Sequence, residues 1–282
     1  MLGNYLIGVR EGIEAALIVS ILITYLVRTN RTALMRYVWV GVGCAVAFSI
    51  VIAVSLEAVS SELSAKIEPI FAGTVSFLAV GFVTWMIFWM KRTARSLAGD
   101  LRAKLDSAAV SGGALAVALM AFAAVAREGT EIAVFFWAAA HATGAQVAAV
   151  VGLLLGLITA IFVGWVIFKS TVRINLSKLF LVTGILLVFV AAGVLSYGVH
   201  EFQEVGLLPG ESWIVLDLSN WLVEGSVQSS LAAGLINLKA TTSGLQAIAY
   251  LTYSLIVLVL ILRPGKVVKV AQASPLSERI DV

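Results

Sequence analysis

Arg-Glu-Gly-Ile-Glu at 10–14 recurs as Arg-Glu-Gly-Thr-Glu at 127–131, each inside an apolar stretch long enough to cross a bilayer. A charge at bilayer depth costs about 2.5–3.5 kcal/mol or more, so two matched sets of charges mark a pathway or a site rather than decoration. Glu11, Glu14, Glu128 and Glu131 are hard oxygen donors, suited to Mg, Ca, Mn and iron and unsuited to Cu(I). With only Arg10 and Arg127 against them, the two motifs carry excess negative charge and favour a multivalent cation. One Arg–Glu pair can simply hold two helices together. Two copies with doubled glutamates ask for more.

Spacing assigns roles within each motif. Glu11 and Glu14 are three apart and share a helix face, as do Glu128 and Glu131. Each arginine is four residues before the second glutamate, so Arg10 can tether Glu14 and Arg127 can tether Glu131. Gly12 and Gly129 remove bulk where backbones approach or a helix opens.

Glu201 and Glu204 are also three apart, and they grip one ion if the preceding helix continues through them. The alternative is that they are solvated charges near a helix end. Glu68 is either a further ligand or a carboxylate favoured by the dipole at the start of a helix. His141 and His200 are isolated histidines at helix ends, read as interfacial, with His200 raised by its neighbours Glu201 and Glu204. Cys44 has no partner, and Met35, Met86, Met90 and Met120 are spread as core packing, which excludes thiolate clusters and a copper relay.

Composition says what must hold these side chains. Of 282 residues, 61% are hydrophobic and 12% charged, with mean hydropathy +1.03. That excludes a soluble domain and predicts an all-α polytopic membrane protein. Runs this uniformly apolar are not barrel strands, which alternate. The opening MLGNYLIG lacks a basic n-region, so the first run is expected to persist as a helix. No phosphate-binding loop is present, which argues against ATP-driven transport within the chain, and the basic pI reads as topology rather than nucleic-acid binding.

Seven spans are predicted at about 4–27, 37–58, 69–90, 108–141, 146–168, 179–200 and 243–262, each near the ~20 residues a crossing needs. Of the 19 lysines and arginines, 15 follow the first, third, fifth and seventh runs. Basic residues stay in the cytoplasm, so the N-terminus is expected outside and the C-terminus inside. Trp39, Trp85, Trp89, Trp137 and Trp165 read as interfacial anchors. The other face is acidic, with Glu57, Glu62, Glu68, Glu201, Glu204, Glu211, Asp217 and Glu224, and concentrates cations.

The two motifs lie in the first and fourth runs, so their helices cross in opposite directions. That predicts an inverted 3+3 repeat, about 1–106 against 107–200, with one added C-terminal helix. The whole of 1–262 is then a single transmembrane domain, 201–242 an external segment with an amphipathic stretch, and 263–282 a cytoplasmic tail. Sites in such folds form near the midplane, where the repeats meet.

The paired R-E-G-x-E motifs, the E-x-x-E at 201–204, the sequence around Glu68 and the ending TWMIFWMKR resemble the oxidase-dependent iron permeases. That family comprises the fungal high-affinity iron permease and the bacterial EfeU permease, and the likeness covers essentially all of 1–262. The resemblance implies iron as transported substrate, no cofactor and no enzymatic activity. It implies a place in a bacterial cytoplasmic membrane, with the motif glutamates as translocation ligands and Glu201–Glu204 as the external acidic motif. It also implies periplasmic iron-binding and iron-oxidising partners (a peroxidase or an oxidase), and it leaves oligomerisation open. Transport of another divalent metal, Mn or Pb, is the alternative. A seven-helix receptor is a poorer one, and the last run has no lysine for a retinal Schiff base.

Overall fold

The computed structural model describes residues 1–93, 97–169, 176–217 and 241–263. Long apolar sequences with few breakers become long helices: α1 (Leu2–Arg28), α2 (Met35–Glu62), α3 (Glu68–Thr93), α4 (Leu97–Ser111), α5 (Gly113–Thr143), α6 (Gln146–Lys169), α7 (Leu176–Glu204) and α8 (Gly244–Leu262). Six of these are long and apolar enough to cross a membrane: α2, α3, α5, α6, α7 and α8. Helix α1 has 27 residues and is as long as they are, but it carries Arg10, Glu11 and Glu14 near its middle. The protein is an all-α polytopic membrane protein. Its outward side chains, such as Val51, Ile161 and Leu255 at 61%, 68% and 67% exposure, are the apolar coat that lipid requires.

Small residues decide how the helices pair. Gly8 and Gly12 of α1 face Gly156 and Ala160 of α6, and Gly164 of α6 faces Ala16. A Cβ on Gly12 would stand 2.6 Å from that of Ala160. Residue numbers rise together along this contact, so α1 and α6 run parallel. The same device joins α2 to α5, where Gly41 meets Ala118 and Ala121, and Gly129 meets Ser49. Without a hydrophobic force between helices in lipid, such close approach is what drives association.

The two seams match residue for residue. A Cβ on Gly152 would collide with the Met1 carbonyl, and one on Gly41 with the Ala118 carbonyl. The step from Met1 to Ala118 equals the step from Gly12 to Gly129. The step from Gly41 to Gly152 equals that from Ser49 to Ala160. Helices α3 and α7 pair antiparallel: Gly73 lies against Phe202, and Gly198 against Ser76. Helix α8 runs beside them, with the hydroxyls of Thr84 and Tyr253 2.7 Å apart and Lys91 Nζ donating to the Ile261 carbonyl at 2.6 Å.

The ends differ from the sequence-based expectation in four places. The fourth run does not begin at 108: α4 is a separate helix, and the chain turns at Gly113, whose φ of 59° suits glycine. Leu101 and Leu105 bury α4 against the bundle, and Arg31 Nη1 donates to its Asp106 Oδ1 at 3.0 Å. Part of the amphipathic stretch is a strand, β1 (Ile214–Asp217), paired antiparallel with β2 (Thr241–Ser243). Trp137 is no interfacial anchor: it is 2% exposed and packs edge-on against Phe71. Trp89 is likewise half-buried against a charged side chain described below. The expectations for 218–240 and for the tail, 264–282, fall outside the described residues.

Candidate metal site

The two motifs meet inside the bundle, where α1 packs against α5. Arg10 and Glu11 are fully buried, and Glu14 and Glu128 are 2% and 3% exposed. One carboxylate oxygen from each of Glu11, Glu128 and Glu131 lies within 4.8 Å of the other two. Among the described residues this is the one cluster of three or more potential metal ligands. Helical geometry explains it: Glu128 and Glu131 project from one face of α5 onto Glu11 of α1.

Glu14, the fourth glutamate expected at the site, lies outside that group. Arg10 Nε donates to Glu14 Oε1 at 3.4 Å and stands 4.0 Å from Glu11 Oε1. On the other helix Arg127 Nε donates to Glu131 Oε1 at 3.0 Å. Each arginine therefore tethers the glutamate four residues on, as spacing predicts. Three carboxylates converge, and the fourth is drawn to its arginine.

Several buried polar atoms here lack a hydrogen-bond partner: both oxygens of Glu11, Oε2 of Glu128 and Oε2 of Glu131. A buried carboxylate oxygen left unpaired is costly, and three carboxylates this close repel unless positive charge sits among them. The donor set is all oxygen, which fits a hard or borderline cation. The surroundings are unequal. Arg10 is sealed, whereas the Arg127 side chain keeps 32% of its surface and Glu131 keeps 13%. The α5 motif is the open side of the cluster.

Gly12 and Gly129 contribute by position. Each is the point at which its helix touches the small-residue seam of α6 or α2, so the motif glutamates point away from the seam, toward each other.

The remaining expected residues gather elsewhere. Helix α7 continues through Glu201 and Glu204, and the Tyr197 hydroxyl, one turn earlier, is hydrogen-bonded to Glu201 and feels the charges of Glu68 and Glu204. Glu68 is exposed at the first turn of α3, where the helix dipole favours it. These three acids share one end of the α3–α7 pair, apart from the buried cluster.

Sequence reasoning missed three participants. The Arg127 guanidinium lies over Trp89, 4.1 Å from the ring centroid, and 5.6 Å from Trp85. The four-residue spacing of these tryptophans put them on one face, but nothing in the sequence named Arg127 as the partner. Asn4, 1% exposed with Oδ1 unpartnered, is seven residues before Glu11 and on the same face of α1. Gln203, 2% exposed between Glu201 and Glu204, accepts from Ser243 Oγ and Gln246 Nε2 and donates to the Pro209 carbonyl. It fastens the end of α7 to the start of α8.

Known proteins resemble this chain over most of its length. Ferrous iron permease EfeU of Yersinia pestis is 36% identical over 264 residues, 93% of each chain. The proteins of that name from Yersinia pseudotuberculosis and Escherichia coli O6:H1 are 36% and 34% identical over 93% of this chain, and the match spans 92% and 95% of theirs. No solved structure matches. The profile of the Iron permease FTR1 family matches residues 1–274, and the chain belongs to that family.

Proposed function

We propose that the protein imports iron across a bacterial cytoplasmic membrane, with Glu11, Glu128 and Glu131 as the ligands of the translocated ion. The observation that carries this reading is the convergence of two buried carboxylates and one partly buried one, from two copies of one motif, with oxygens that no protein hydrogen bond satisfies. Arg10 holds Glu14 beside the cluster as a fourth carboxylate that can swing in as the ion enters or leaves. Arg127 tethers Glu131 at the open side. The arginines limit the repulsion among the carboxylates between ions, and the ion displaces that balance rather than a shell of protein donors.

The matched seams support an inverted repeat of α1–α3 against α5–α7, with α8 added. With α1 counted as a span, seven crossings put the termini on opposite sides, and the basic residues that follow alternate spans favour the N-terminus outside. Glu68, Glu201 and Glu204 then stand at the outer face and concentrate cations there. An inside-negative potential supplies about 2.3 kcal/mol per charge per 100 mV, enough to draw in a di- or trivalent ion without ATP. Transport, rather than chemistry on a substrate, is the activity. The name of the relatives makes ferrous iron the ion to try first, delivered by periplasmic iron-binding or iron-oxidising proteins.

Uptake into proteoliposomes tests this, with Fe(II), Fe(III) and Mn(II) offered separately. Iron uptake that is lost in Glu11→Gln and Glu131→Gln is the expected result. Uptake of Mn(II) alone would move the assignment to that metal, and normal iron uptake in both variants would remove the glutamates from the pathway.

A further inference from the structure

His141, on the last turns of α5, is not an isolated interfacial residue. Its Nδ1 lies 2.9 Å from the Trp137 carbonyl oxygen. A carbonyl only accepts, so Nδ1 carries the hydrogen and the neutral ring presents a lone pair at Nε2. The ring is also stacked on the indole of Trp137, with centroids 4.1 Å apart and planes 28° apart. Trp137 is itself buried, so the imidazole is held in plane by two contacts to an immobile neighbour.

The fixed Nε2 points at a carboxylate. Glu57 Oε2, from α2, lies 3.7 Å away, and Gln146 Nε2, from α6, donates to the other oxygen of Glu57 at 3.5 Å. Two acceptors thus face each other across a gap too long for a hydrogen bond. A transition-metal ion bonds imidazole nitrogen and carboxylate oxygen at about 2.0–2.2 Å, and two such ligands about 120° apart stand about 3.6 Å from each other. The second ring nitrogen committed to a backbone carbonyl is the arrangement that orients metal-bound histidines.

The geometry points to a second metal site in which His141 Nε2 and Glu57 Oε2 share one divalent transition-metal cation. Water supplies the remaining ligands from an open cavity of about 660 Å³ lined by Met1, His141 and Gln146. One nitrogen and one carboxylate make it softer than the buried cluster and biased toward Fe(II), Mn(II) or Zn(II) over Mg(II) and Ca(II). With two protein ligands and the Glu57 side chain 53% exposed, it holds an ion weakly and releases it quickly. Its role as a staging site at the outer mouth rests on the orientation proposed above; the binding itself does not.

The test is pulsed EPR on the full-length protein in lipid nanodiscs, with Mn(II) as the only added ion. The buried cluster offers carboxylates alone, so a directly bound imidazole gives a nitrogen-14 modulation that can come only from one of the two histidines. The modulation should be present in the unaltered protein, vanish in His141→Gln and persist in His200→Gln. Glu57→Gln leaves the ring in place and should weaken the nitrogen-coordinated population by at least about tenfold in affinity, since a direct ligand matters no less than an outer-shell partner. Substituting Glu11, Glu128 and Glu131 together by Gln should abolish iron uptake and keep the modulation, so the two assignments fail separately. Absence of the modulation in the unaltered protein, or its survival in His141→Gln, overturns the site.

Discussion

The guanidinium of Arg127 lies against the face of Trp89, 4.1 Å from the ring centroid, while its Nε holds Glu131. Arg10, its counterpart on α1, has no such ring among the described residues and is enclosed instead. The two motifs are alike in sequence but differ in how their arginines are fixed.

That difference gives the first prediction. A cation–π contact of this kind is worth about 0.5–2 kcal/mol, and without it Arg127 is free to leave Glu131. Trp89→Leu should therefore lower iron uptake several-fold while Trp89→Phe keeps most of it. Equal loss in both would mean the ring matters as packing alone.

The carboxylates should not be equivalent. Glu11→Gln, Glu128→Gln and Glu131→Gln each remove a carboxylate from the converged group, and uptake should fall below detection. Glu14→Gln leaves that group intact and frees Arg10 to draw more closely on Glu11. We expect a partial loss, with initial rates measured at matched amounts of protein in the membrane. A Glu14 variant as inactive as the other three would place it among the ligands.

Gly12 should be sensitive to size rather than polarity. A Cβ there meets the Ala160 Cβ at 2.6 Å, well inside ordinary contact, so Gly12→Val forces α1 off α6. Overpacking of this sort costs about 1–3 kcal/mol. A lower unfolding temperature in detergent should accompany it, and Ala160→Gly in the same chain should recover part of the loss.

Glu201 and Glu204 stand at the accessible end of α7, where the proposed permease would capture its ion. Replacing both with Gln should raise the iron concentration for half-maximal uptake more than it lowers the maximal rate. An unchanged uptake curve at low iron would leave them as solvated charges.

Orientation is checked by labelling. With Cys44 replaced, cysteines at Ser61 and Ser212 should react with an impermeant thiol reagent in intact cells, and one at Thr32 should not. The reverse pattern would invert the bundle and move the acidic end inside.

Most of the helices and the heart of the site were legible because few kinds of residue determine them. Length and hydropathy fix a span, and a charged motif repeated inside two spans has few explanations. The finer arrangement depended on partners distant in sequence. Spacing gives Glu14 and Glu131 the same arginine tether, and only the packing of α1 on α5 leaves Glu14 outside the converged group while Glu131 joins it. His141 reads as a lone histidine until α2 brings Glu57 beside it. Trp137 sits where interfacial tryptophans sit, yet Phe71 and His141 cover it. The break at Gly112–Gly113 was visible as a pair of glycines, but an apolar run on its far side hid it.

The parallel seams also limit how the protein can move. Each half of the sequence is interlocked with the other: α1 with α6, and α2 with α5. Rocking one half against the other would tear both seams at once, where glycine lets backbones touch. A shift that keeps both seams intact carries the cross-paired helices as units. The carboxylate cluster lies where one such pair faces the other, between α1 and α5. A slide of a few ångströms there would alter the spacing of Glu11 against Glu128 and Glu131, so the movement that opens the path would also loosen the grip on the ion.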